Sequence, residues 1–67
     1  MPISRQRIVD ELLGRTEAVA LRKAELLGYV VFVAERDGQS FMRTADVRLD
    51  RLNFYVRDGF VRDAELG

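Results

Sequence analysis

The sequence predicts an α+β fold: one α-helix packed on a small β-sheet, with a long exposed loop between the first two of three strands. Three observations predict it. Residues 18–27 are rich in strong helix formers, with the capping threonine Thr16 before them and Gly28 after them. Residues 29–34, Tyr-Val-Val-Phe-Val-Ala, are β-branched and aromatic throughout. Residues 51–56 alternate, with Leu52, Phe54 and Val56 on one side and Arg51, Asn53 and Tyr55 on the other.

Taken in order, residues 1–7 are polar and are expected to be a flexible segment ahead of a single domain at 8–67. The apolar piece Ile8-Val9-Asp10-Glu11-Leu12-Leu13, closed by Gly14, reads as a helical turn or a bend that lays Val9, Leu12 and Leu13 on the core. In the helix, Ala20, Ala24 and Leu27 recur at i, i+4, i+7 with Leu21 beside them, and Arg22 and Glu25 fall opposite. Its alanine side allows close approach to a sheet, and Gly28 suits a left-handed cap. The unbroken apolar run that follows suggests a strand buried on both faces or nearly so. Asp37-Gly38 is a turn signal, but the residues after it alternate poorly, so a wide excursion to Asp50 is expected rather than a hairpin. A connection of about fifteen structureless residues in so small a domain is uncommon and usually functional. After residues 51–56, Asp58-Gly59 is a hairpin turn, and residues 60–65 read as a shorter, more polar edge strand guarded by charge.

Composition narrows the function. At 67 residues the chain is one small domain, near the lower limit of what folds without staples. It has no cysteine, so neither a disulfide frame nor a thiolate metal site is available. It has no histidine, the usual general base near neutral pH and the commonest metal ligand. No enzyme activity, cofactor or metal is therefore expected. Eleven basic and eleven acidic residues cancel, leaving no electrostatic footprint for nucleic acid or an anionic membrane. No apolar run approaches a membrane span, and no signal-peptide core follows the first charges, so a cytoplasmic chain or a processed secreted one is expected, as a monomer.

The order and spacing of these pieces carry a resemblance. Glu11-Leu12-Leu13-Gly14-Arg15-Thr16 is similar to the opening Glu-Leu-Val-Gly-Lys-Ser/Thr of the potato inhibitor I family of serine protease inhibitors, small bacterial and fungal relatives included. Arg48-Leu49-Asp50-Arg51-Leu52-Asn53 resembles that family's Tyr-Arg-x-Asp-Arg-Val/Leu-x, and a hydrophobic strand, Asp58-Gly59 and Gly67 follow as in the family. The match spans roughly residues 9 to 67. It implies a mixed sheet, the first two predicted strands parallel and the last two an antiparallel hairpin. It also implies a protease-binding loop of Arg43, Thr44, Ala45, Asp46, Val47 and Arg48, with the reactive bond between Ala45 and Asp46. Ala45 would enter the primary pocket of a subtilisin-like or elastase-like serine protease. Val47 stands where the family has tyrosine. Two strand arginines brace the loop in the family and meet the terminal carboxylate; Arg51 matches the first, and Asn53 replaces the second, keeping a hydrogen-bonding group without charge or reach.

The physics of such a loop stands beside the resemblance. A loop already in its bound conformation loses little entropy on docking and, once cut, keeps the new amine where the bond can re-form. Without a disulfide, hydrogen bonds supply the stiffness; Arg51 is the best donor, and Thr44 and Asp46 are natural acceptors. Arg51 and Asp50 also read as an ordinary surface pair, Phe41 and Met42 as core beneath the loop, and the charged stretch at residues 35–37 as solvated. The alternative function is a non-inhibitory interaction module on the same scaffold, docking through residues 60–65 or through the loop.

Overall fold

Local caps place the elements of this chain, and one shared apolar face joins them. The structure, a computed structural model, describes residues 5–41 and 48–67. It is an α+β arrangement of two helices, α1 (Arg5–Leu12) and α2 (Glu17–Leu26), and four strands, β1 (Val30–Arg36), β2 (Gln39–Ser40), β3 (Arg51–Arg57) and β4 (Phe60–Leu66). The sheet order is β2-β1-β3-β4. β1 and β3 run parallel, while β1/β2 and β3/β4 are antiparallel. The mixed sheet with one parallel pair and a C-terminal hairpin is thus present, but the expected single helix and three strands become two helices and four strands among the described residues.

The added helix is α1. Ile8 and Leu12 form one i, i+4 row in the core, and Val9 and Leu13 form a second row packed against it. That stripe was legible as apolar, but two turns are too short for the period to separate a helix from a bend. The helix begins at Arg5, inside the segment read as flexible.

α2 is capped as its ends suggest. Thr16 is extended and its Oγ1 accepts from Val19 N at 3.3 Å. At the other end Gly28 has φ +93°, and the bonds Gly28 N–Glu25 O and Tyr29 N–Ala24 O, both 3.0 Å, form a Schellman motif. Ala20 and Ala24 are fully buried, so the helix backbone lies close on the sheet. Leu27 and Leu21 do not join them. Leu27 is the C-cap and is 43% exposed, and Leu21 sits on the flank of the narrow alanine row.

Asp37-Gly38 does close a hairpin, contrary to the sequence expectation. Asp37 (φ 52°) and Gly38 (φ 83°) are both left-handed, as a type I′ turn requires, and Asp58 (φ 54°) with Gly59 (φ 83°) repeat the geometry between β3 and β4. The turn needs no alternation behind it: two pairs, Glu35↔Ser40 and Arg36↔Gln39, make up β2. The excursion before β3 therefore starts at Phe41. The two turns touch, since Asp37 Oδ1 accepts from Asp58 N at 2.8 Å and Asp37 N donates to Val56 O at 2.9 Å. At the opposite end of the same strand pair, Val30 N donates to Asp50 O at 2.7 Å.

Both helices cover one face of the sheet. Leu52, Phe54, Val56, Val61 and Ala64 meet Ile8, Leu12, Ala20 and Ala24 there. β1 is less buried than expected: Val30 at its start is exposed, and Val31, Phe32, Val33 and Ala34 are all half-buried, Val31 and Val33 packing against the core. Among the described residues no second helical layer covers the sheet's other face.

β4 is the edge strand expected, though it runs seven residues to Leu66 and is as long as β3. Main chain guards it as much as charge does. Val61 O accepts from Gly14 N and Val61 N donates to Arg15 O, each at 2.9 Å. Gly67 N donates to Arg51 O at 3.0 Å, so Asn53/Glu65 and Tyr55/Asp63 are the bonded pairs and Ala64 N points outward. Asp63 Oδ1 accepts that outward donor at 2.8 Å.

Candidate functional site

The face of β3 away from the helices carries the polar half of its alternation. Arg51 and Asn53 lie on it as the sequence indicates, yet both are buried, to 8% and 0% exposure. They converge on one oxygen. Arg51 Nε donates to Gly67 O at 3.1 Å, and Asn53 Nδ2 donates to Gly67 O at 3.0 Å and to Glu65 O at 3.4 Å. The shorter asparagine reaches because β4 is the adjacent strand and brings Gly67 across to it. Asn53 Oδ1 is buried with no hydrogen-bond partner among the described residues. Tyr55, half-buried on the same face, donates to Glu65 Oε1.

Of the expected protease-binding residues, Arg43, Thr44, Ala45, Asp46 and Val47 lie outside the described residues, and so does the bond between Ala45 and Asp46. Met42 does as well. Arg48 is described. Its guanidinium forms a fork on Asp50, Nε to Oδ1 and Nη2 to Oδ2, both 3.1 Å. The salt bridge of Asp50 is therefore with Arg48, while Arg51, the partner expected from sequence, acts on it through its charge alone.

The hydrogen-bonded Arg48 holds the Asp50 carboxyl below the ordinary aspartate value. The sign follows directly. With the folded value below the unfolded one, the pair's contribution is present above the ordinary aspartate pKa and is lost as pH falls through the depressed one. Carbon-detected NMR titration is expected to show the Asp50 midpoint moving up towards the ordinary value in Arg48→Met. Equal midpoints in the two proteins would refute the fork.

At the other end of the expected loop, Phe41 N donates to Ala34 O at 2.9 Å. Phe41 is 38% exposed and is not core: the Arg36 guanidinium carbon lies 5.7 Å from its ring centroid. Arg36 in turn grips Glu17, Nε to Oε1 at 3.1 Å and Nη2 to Oε2 at 2.7 Å. This hydrogen bond and the glutamate's charge raise the Arg36 pKa above its ordinary value. Residues 35–37 are solvent-facing as expected, yet Arg36 also pairs with Glu17 and Asp37 with Asp58. Sequence reading missed Glu17 and Arg36 because nineteen residues separate them, and nothing in local spacing signals the pair.

Two β-bulges shape the remaining polar surface. One lies on β1 between Val33 and Glu35, and the other sets Tyr55/Val56 against Asp63/Val61. Glu35, Tyr55, Val56, Arg57 and Arg62 line a cleft of about 440 Å³ there. Among the described residues there is no group of three or more potential metal ligands, and no helix is long and apolar enough to cross a membrane. No family model, curated protein or solved structure matches the chain.

Proposed function

We propose that the chain is a protein inhibitor of serine proteases of the potato inhibitor I type, binding a subtilisin-like or elastase-like enzyme in substrate fashion through Arg43, Thr44, Ala45, Asp46, Val47 and Arg48. The observation that supports this reading is the buried pair Arg51 and Asn53, which ties the start of β3, three residues after Arg48, to Glu65 and Gly67. Buried guanidinium and amide groups are costly unless they are hydrogen-bonded, so a pair of them beside the segment marks a place where the chain is held. The resemblance in residues 48–53 points the same way. In this reading Ala45 fills the primary pocket and Asp46 begins the leaving side, and a cut bond re-forms because its ends are held together.

The rival reading is a non-inhibitory module that docks through residues 60–65 or through the loop, and the first of these routes has less room. Val61 and Ala64 on that edge already have partners in Gly14, Arg15 and Asp63.

Titration of subtilisin and of an elastase with purified protein tests the proposal. Stoichiometric inhibition is expected, weakened about 30-fold or more by Thr44→Asp, which forces a charge into the desolvated contact. Rapid cleavage at several bonds, or no inhibition of either enzyme, would overturn it.

A further inference from the structure

We propose that Arg36 is a positioning residue that braces the entry of the binding segment, tying it through Phe41 and Glu17 to the N-terminus of α2. The inference rests on the reading of residues 43–48 as the binding surface, and it adds a second anchor at the end opposite Arg51 and Asn53.

The contacts form a chain. Glu17 is the first residue of α2, where a carboxylate is favoured by the helix dipole and where Thr16 already fixes the backbone. It receives both arms of the Arg36 fork, at 3.1 and 2.7 Å. A guanidinium held at both nitrogens on one edge has a defined plane, which a lysine would not have. That guanidinium sits 5.7 Å from the centre of the Phe41 ring, and the Phe41 amide is bonded to Ala34 O at 2.9 Å. Phe41 is the last described residue before the segment. Its backbone is thus held by β1, and its side chain meets Arg36, which is itself tied to α2 through Glu17.

The opposite end is built differently. There a buried pair meets main-chain oxygen, whereas Arg36 and Glu17 are partly exposed, at 44% and 32% of their side chains. An exposed ion pair is screened by salt, while a buried one is screened little. The entry brace is therefore salt-sensitive and the root brace is not.

Amide hydrogen exchange tests this without reference to inhibition. In Arg36→Met the Phe41 amide is expected to exchange about three- to fivefold faster, the scale of one exposed ion pair and one cation–π contact, with Leu52 and Phe54 unchanged. Raising salt to about 1 M, where screening acts over roughly 3 Å, should speed Phe41 exchange in the parent chain but not in Arg36→Met. Arg36→Lys should recover only part of the protection. Unchanged Phe41 exchange in Arg36→Met, or an equal acceleration of Phe41, Leu52 and Phe54, would overturn the brace. Protease titration of the same proteins separates the two ideas. A parent chain that fails to inhibit removes the proposed function, and the exchange data still decide the role of Arg36.

Discussion

Asn53→Asp is expected to destabilise the fold by roughly 2–4 kcal/mol at neutral pH, although it changes a single heavy atom. The amide nitrogen it replaces donates to Gly67 O and Glu65 O, at 3.0 and 3.4 Å, in a fully buried position. A carboxylate there turns both contacts into oxygen facing oxygen, with desolvation added. Arg51, two residues away on the same face, offsets part of the penalty. Protonation restores a donor, so the deficit should shrink as pH falls, the direction expected when the folded state disfavours the charged form. Asn53→Leu gives the contrast. It removes the two donated bonds together with the unpartnered Oδ1, and a net change within about 1 kcal/mol is expected. Urea denaturation at fixed slope measures both. An Asn53→Asp midpoint equal to the parent's would show that the amide nitrogen is not the atom facing Gly67.

Phe54→Ala is expected to be more severe, about 3–5 kcal/mol. Phe54 is the largest of the fully buried side chains and stands at the middle of β3, between the parallel partner and the antiparallel one. A domain of this length has a total stability of only about 3–10 kcal/mol. Most of the variant should therefore be unfolded at 37 °C, seen as loss of the cooperative thermal transition. Leu26→Ala, at a leucine that is 78% exposed, should stay within about 0.5 kcal/mol. Comparable losses in the two variants would mean that the core is not centred on β3.

Much of the fold was legible because the signals are local. Thr16 brackets α2 with a side-chain acceptor and Gly28 with a left-handed backbone, each supplied by only a few residue types, and the alternation of residues 51–56 sorts β3 onto its two faces. What sequence missed is non-local. The covered edge of β4 depends on Gly14 and Arg15 reaching Val61, and the engagement of Arg36 depends on Glu17, in another element. The hairpin at Asp37-Gly38 was missed for a different reason. β2 is two residues long, and no period can be read from two residues. For the candidate site, the sequence placed Arg51 and Asn53 on the correct face but gave no sign of their depth, because burial depends on what a neighbouring strand brings across.

The bonds at the two ends of the β1–β3 pair have a consequence for alignment. Parallel strands offer evenly spaced hydrogen bonds and no turn to set their offset, so they can slide more freely than a hairpin. Here Val30 N–Asp50 O pins one end of the pair, while Asp37 N–Val56 O and Asp37 Oδ1–Asp58 N pin the other. The β1 bulge between the pins absorbs the one-residue mismatch between them. A slide by one position would exchange the faces of β3, sending Arg51 and Asn53 among the alanines of α2 and Phe54 out of the core. The Asp-Gly turns therefore act as a vernier stop, and through that stop residues remote from positions 43–48 decide which way Arg51 and Asn53 face.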